Sequence, residues 1–227
     1  MNPYESGTVL LLNKPYDWTS FDVVRKVRNA MKIKKVGHAG TLDPLATGLL
    51  ILCTGRFTKR INEYMQREKE YTGTIVLGAA TPTYDLESHP VPVGAFQHLT
   101  IKELETTAET FTGEIDQVPP IHSAIKVDGK RVYELARKGE DVILQPRKVT
   151  ISDFEIVKVM LPEVQFRVVC STGTYIRSLA NDFGTRLGCG GYLSSLCRTR
   201  IGEFELKDAL EVDEVILQIK ATLAQNG

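Results

Sequence analysis

VGHAGTLDPLATG, residues 36–48, places three glycines, one proline, one histidine and one aspartate within thirteen positions. Turn formers at this density exclude a helix or strand interior, so the stretch reads as a loop that presents His38 and Asp43 at set positions. The apolar run 49–53 follows at once and anchors the loop to a core. Exposed chemistry on a rigid support is the usual construction of an active site. Asp43-Pro44 taken alone is also an ordinary turn opening, and the rest of the chain decides between the two readings.

A chain of 227 residues can bury a full core, as one large domain or two closely fused halves. Hydrophobic residues make up 42% and charged residues 25%, the balance of an ordinary globular protein. Residues 1–7 lack the charged-then-apolar pattern of a signal peptide, and no apolar run reaches spanning length. A cytoplasmic protein without membrane contact is expected. Cys53, Cys170, Cys189 and Cys197 form no CxxC pair and have no histidines at zinc-finger spacing. Cys53 and Cys170 end apolar runs, where a free thiol behaves as a small core residue. No metal, cofactor or disulfide is expected.

The formal charge is zero only on average. Residues 1–60 carry ten Lys and Arg against four Asp and Glu, and residues 61–118 carry three against ten. The counts are thirteen against eight over 119–200 and two against six over 201–227. One basic block sets Arg25, Lys26, Arg28, Lys32, Lys34 and Lys35 next to the Asp43 loop; the other holds Lys126, Lys130, Arg131, Arg137 and Lys138. Such asymmetry suits a phosphate-binding face, although a solvated helix face gives the same pattern.

Hydrophobic periodicity and stop signals give the elements. Thr8 to Asn13 reads as a short buried strand; Thr19 then caps a helix with Asp22 three positions on, and Phe21, Val24, Val27 and Met31 form its apolar stripe. Tyr71 to Leu77 reads as a strand with Tyr71 at its start, and Thr81 to Phe96, rich in Pro, Thr and Asp, as a loop. Thr100 and Glu103 box the start of a helix that stops near Gly113. A strand end turns through Asp128-Gly129 into a short helix over 131–138 closed by Gly139. Val149 to Met160 and Val164 to Cys170 pair as strands. A helix from about Thr174 to Leu187 places Tyr175 and Arg177 in its first turn, and a last helix spans about Val212 to Leu223.

Asp43, Tyr71 and Arg177 thus come from separate segments. An aspartate that attacks or takes a proton must stay ionised in a partly desolvated pocket, and a nearby arginine does that. Arg177 is the best candidate partner.

Here the chain resembles the B family of tRNA pseudouridine synthases (TruB). The resemblance rests on GTVLLLNKPYDWTS at 7–20, GHAGTLDPLATG at 37–48, KEYTGTIVLG at 69–78, PPIHSAIKVDGKRVYELARKG at 119–139 and STGTYIRSLANDFGTRLGCGGYLSSLCRTRIG at 171–202, which keep the family's order and cover nearly the whole chain. It implies an α/β (α+β) fold with a mixed, largely antiparallel central sheet, flanking helices and a catalytic cleft, in a single catalytic domain over 1–227. The activity implied is isomerisation of uridine 55 in the tRNA T loop to pseudouridine. Asp43 is then the catalytic aspartate, Tyr71 the residue that stacks on the base and accepts a proton, and Arg177 the partner of Asp43. Tyr175 and Leu196 line the uridine pocket, His38 replaces displaced bases in the T loop, and Lys14 and Lys126 join the substrate-binding set. Residues 119–147 resemble the thumb that closes over RNA. The partner implied is the T arm of tRNA, with the protein a monomer needing no protein partner.

The chemistry agrees with these roles, because a base stacked inside the T loop must be flipped out before its glycosidic bond can be reached. Three departures stand out. Asp17 occupies the usual glycine of the KPxGxTS motif, a left-handed position that Asp tolerates better than most residues. His122 stands where the family more often has Tyr or Phe, and the chain ends at Gly227 where most bacterial relatives continue into a small C-terminal RNA-binding (PUA-like) domain. Other readings are a tRNA folding chaperone that needs no catalysis and a synthase guided by a separate RNA. A hydrolase built on Ser123 and His122 fails, because adjacent strand residues point to opposite faces and no GxSxG elbow exists.

Overall fold

The structure, a computed structural model, describes residues 2–121, 126–127, 130–131 and 144–225. Its elements run β1 (Val9–Lys14), α1 (Ser20–Met31), β2 (Val36–Ala39), β3 (Ala46–Thr54), α2 (Ile61–Met65), β4 (Lys69–Leu77), β5 (Ala79–Ala80), β6 (Val91–Pro92), α3 (Ile101–Glu109), β7 (Gly113–Gln117), β8 (Lys126–Val127), β9 (Lys130–Arg131), β10 (Arg147–Met160), β11 (Glu163–Cys170), α4 (Ile176–Arg186), β12 (Gly191–Ile201), β13 (Phe204–Glu205), β14 (Leu210–Glu211) and α5 (Val212–Gln225). The chain divides into two compact units, residues 1–72 with 196–227, and residues 73–195. The α/β class with a mixed, largely antiparallel sheet is as expected. Among the described residues no helix is long and apolar enough to cross a membrane.

In the first unit β3 is central. It pairs antiparallel with β1 along one edge, from Val9 opposite Cys53 to Lys14 opposite Gly48. Its other edge is shared: β2 covers residues 51–54, and β12 runs parallel beside 46–48. Successive side chains point to opposite faces. Leu50 and Leu52 meet Val23, Val24, Val27, Met31, Val215 and Ile219 of the two helices, while Leu49, Ile51 and Cys53 meet Tyr64 and Ile201 on the other face. Burial on both faces explains why 49–53 reads as a continuous apolar run. Helix α1 starts at the expected capping box, with Thr19 and Asp22 each serving the other's backbone.

The second unit is built on the β10–β11 hairpin, with β7 antiparallel to β10. Its core is aromatic. Phe154 of β10 meets Phe166 of β11 edge-on at 5.9 Å between ring centroids and Phe183 of α4 at 5.6 Å, and Phe111 closes the group. Helix α3 opens at the expected Thr100–Glu103 box. The expected loop 81–96 contains one short strand, β6, paired with β5. Strands β8 and β9 pair across the expected turn, and Arg131, expected to open a helix, belongs to β9; Asp128-Gly129, His122, Ser123 and residues 132–138 lie outside the described residues, as does the Lys126 side chain.

Candidate functional site

One expectation needs correcting. Residues 36–48 are not all loop: Val36–Ala39 is strand β2, His38 faces Leu52 across the ladder, and Ala46 already belongs to β3. The ladder satisfies the backbone that turn residues would otherwise leave open. Gly37 is small for packing, since a Cβ there would lie 2.8 Å from Ile61 Cδ1. The loop proper is residues 40–45, leaving the sheet where β12 takes over the edge of β3 from β2.

Asp43 sits half-buried in this loop with both neighbours held. The buried Ser20 hydroxyl accepts from the Leu42 N–H at 2.9 Å and donates to the Leu42 carbonyl at 3.2 Å. On the other side the Pro44 carbonyl accepts from the Asp17 N–H at 3.0 Å and from Lys14 Nζ at 3.1 Å. Asp17 has φ of 62°, so the left-handed turn survives the loss of glycine. The Ala46 N–H closes the turn onto the Asp43 carbonyl at 3.1 Å.

Lys14 shares the inward face of β1 with Leu12, fully buried. Its ammonium also donates to the Pro15 carbonyl at 2.9 Å and the Trp18 carbonyl at 2.5 Å. With three carbonyls engaged, it ties the first motif to the second, which differs from the substrate contact expected of it. Burial pulls its pKa down from 10.5 to about 8; the Asp43 carboxylate opposes this and the Arg198 charge adds to it.

His38 is half-buried, and among the described residues its Nδ1 has no hydrogen-bond partner. Burial first and the Arg198 charge second hold its pKa below 6.5, against a Gly40 backbone hydrogen bond that favours the charged form. The ring is therefore mainly neutral at pH 7. Leu196 lies beside the exit of the loop, opposite Ala46, and its carbonyl accepts from Thr47 Oγ1 at 3.4 Å. Tyr71, 8% exposed, is the third residue of β4, and the Thr199 hydroxyl holds the neighbouring Glu70 carboxylate at 2.7 Å.

In the second unit Arg177 is buried in the first turn of α4, with Tyr175 as the cap residue. Its Nη1 lies 3.6 Å from Asp85 Oδ2 and donates to the Thr83 carbonyl at 3.3 Å. Sequence reasoning missed Asp85, which is 92 residues away and lies in a segment read only as a loop. The loop is built to hold it. The Glu87 N–H donates to Asp85 Oδ1 at 3.0 Å, the Thr83 and Ser88 hydroxyls meet at 2.6 Å, and the Tyr84 carbonyl accepts from the Leu193 N–H at 2.9 Å. Tyr84 has φ of 64°, a strained position for a bulky residue that these bonds sustain. Tyr175 is oriented by Gln117, whose buried amide accepts from its N–H at 2.8 Å and donates to its carbonyl at 3.0 Å, while the Arg147 guanidinium lies 5.5 Å from its ring centre.

The first basic block presents charge near the Asp43 loop. Arg25 and Lys26 pair with Asp22 and Asp213, but Lys32, Lys34 and Lys35 are exposed and make no ion pair among the described residues. Arg28, Asn29, Lys32, Ile33 and Lys34 line an open groove of about 470 Å³.

Residues 28–176 match the family described as TruB family pseudouridylate synthase, N-terminal domain. The chain is 51% identical over 216 residues to tRNA pseudouridine synthase B of Flavobacterium johnsoniae, covering 92% of this chain and 94% of that one. The enzyme of the same name from Bacteroides fragilis is also 51% identical, over 214 residues and 92% of each chain. A crystal structure of a Cbf5-Nop10-Gar1 complex contains a chain similar in fold, with a TM-score of 0.73 and 28% identity over 94% of this chain. This chain spans about half of that one, 54%.

Proposed function

The chain belongs to the TruB family of pseudouridylate synthases, and from that premise we propose how it isomerises uridine 55 of the tRNA T loop to pseudouridine. The observation that carries the proposal is that Ser20 holds Leu42 and Lys14 holds Pro44, so both neighbours of Asp43 are pinned. Catalysis by one carboxylate depends on fixed geometry, and pinned neighbours supply it.

The target uridine leaves the T-loop stack and enters the site. Tyr71 stacks on the extruded uracil, worth about 1–3 kcal/mol. The neutral His38 ring fills part of the gap left in the RNA and offsets some of the unstacking cost. Arg177, braced by Asp85, takes the role that the family resemblance gives it as the charge partner of Asp43. Asp43 then acts in one of two ways, by attacking C1′ or by removing the C2′ proton to give a glycal. In either route the N1–C1′ bond breaks, the uracil turns with Tyr71, Tyr175 and Leu196 in the roles the family resemblance gives them, and C5 bonds to C1′ as the Asp43–C1′ ester breaks or as the glycal C2′ takes its proton back from Asp43. The proton at C5 is then surrendered, with Tyr71 as acceptor, and N1 gains one.

By the same resemblance residues 1–227 act as one catalytic domain, the 119–147 segment contacts RNA through Lys126, and the first basic block binds T-arm phosphates. The protein works as a cytoplasmic monomer on tRNA without a guide or protein partner. Supporting action on tRNA is the name tRNA pseudouridine synthase B carried by the bacterial relatives. Incubating an unmodified tRNA transcript with the protein and mapping pseudouridine by carbodiimide-blocked primer extension tests the proposal. A single stop at position 55 of the T loop is expected; a transcript left unmodified contradicts it.

A further inference from the structure

Arg198 is 1% exposed in β12, and among the described residues no carboxylate lies within ion-pair distance of it. A buried guanidinium without a paired anion is costly unless its protons are well used. Here its Nε donates to the Leu49 carbonyl at 2.8 Å and its Nη2 to the Gly40 carbonyl at 3.0 Å. Those two carbonyls bracket the Asp43 loop. One planar fork therefore joins the residue where the chain leaves β2 to a residue just inside β3.

Gly48 makes room for the backbone of residue 198, and Gly40 lies at contact distance from its guanidinium. Gly48 stands opposite Arg198 in the parallel ladder at φ of 105°, and a Cβ there would lie 2.4 Å from the Arg198 carbonyl oxygen. Gly40 has φ of 88°, and a Cβ there would lie 3.4 Å from Arg198 Nη1. The guanidinium charge also reaches Lys14 and His38, the residues on either side of the loop.

We propose that Arg198 is a positioning residue for the isomerisation, a clasp that fixes the span of residues 40–49 and so the place of the Asp43 carboxylate. The proposal rests on the function inferred above. Lysine at this position keeps the charge but lacks the planar fork, and methionine keeps the bulk and bonds neither carbonyl.

The test compares the parent, Arg198→Lys and Arg198→Met, with Val215→Ala as a control that loosens the α1–α5 core away from the loop. Single-turnover pseudouridine formation on a T-arm hairpin, hairpin Kd, and hydrogen exchange of the Leu42 and Ala46 amides, which bond Ser20 Oγ and the Asp43 carbonyl, are measured for each. Arg198→Lys should lose about tenfold and Arg198→Met about a hundredfold in rate, as expected for a displaced reacting group, with Kd within about threefold of the parent. Exchange at Leu42 and Ala46 should quicken in both, while Val215→Ala melts earlier and keeps parental rate and loop exchange. Arg198→Lys at parental rate with parental exchange overturns the clasp, and it decides alone if Arg198→Met does not fold. Exchange also separates the two proposals: quickened exchange in the Arg198 variants, beside a parent that makes no pseudouridine, supports the clasp and sinks the function.

Discussion

Asparagine at position 85 removes one charge and almost nothing else. Asp85 and Arg177 have side chains only 6% and 4% exposed, with Oδ2 and Nη1 3.6 Å apart. At an effective dielectric near 20 the attraction is roughly 4–5 kcal/mol, before desolvation is set against it. Breaking a buried pair from one side costs roughly 3–5 kcal/mol, because the partner's charge stays buried. Arg177 keeps its bond to the Thr83 carbonyl, which lowers the loss, but it sits at the positive end of α4, which raises it. Asparagine still offers an Oδ1 for the Glu87 N–H, so the loop keeps its shape. The expected loss of unfolding free energy is about 3 kcal/mol.

Urea unfolding followed by circular dichroism reads this; the single tryptophan, Trp18, lies in the other unit and is the poorer probe. The cycle Asp85→Asn, Arg177→Met and the double variant should give a coupling of about 2 kcal/mol or more. Turnover by Asp85→Asn should fall at least about tenfold, since Arg177 loses its brace. An Asp85→Asn protein within about 0.5 kcal/mol of the parent, at full turnover, would refute the reasoning.

Lys14 gives a pH signature. Its pKa is about 8 folded against 10.5 ordinarily, so between those values the unfolded chain holds a proton that the folded chain lacks. Stability therefore rises with pH across that window, by up to about 1.4 kcal/mol per pH unit from this group, and the difference between the parent and Lys14→Met should show it; a flat difference refutes it. Lys34 and Lys35 changed together to Ala should weaken tRNA binding and lower the salt slope by about 0.9 per lost phosphate contact, whereas a parental slope makes them a solvated face. Because every contact invoked lies on the T arm, an isolated T-arm hairpin should react nearly as well as whole tRNA, and His38→Ala should slow both alike; a gap above about a hundredfold in kcat/KM, roughly 2.7 kcal/mol, shows recognition elsewhere on tRNA.

The sequence made local features legible. Thr19 with Asp22 and Thr100 with Glu103 each announce a helix start within four residues, and both capping boxes form. Asp17 in a left-handed turn follows from its place in the first motif. What stayed hidden depends on residues far apart in the chain. Nothing near Asp85 signals Arg177, and nothing near Arg198 signals Gly40. The glycines of residues 36–48 misled because glycine serves two ends: Gly40 allows a positive φ, while Gly37 makes room in a strand for Ile61. Lys14 differs for another reason: the family resemblance set it among the substrate contacts, whereas its alternation with Leu12 places it inside.

The central claim is that the Asp43 carboxylate does the chemistry while the rest of the loop only holds it. Asp43→Asn keeps the shape of the side chain and removes the charge, so single-turnover pseudouridine formation on T-arm RNA, measured beside hairpin Kd, isolates that claim. The expected result is no detectable pseudouridine, with Kd within about threefold of the parent. Substantial pseudouridine formation by Asp43→Asn would contradict the account.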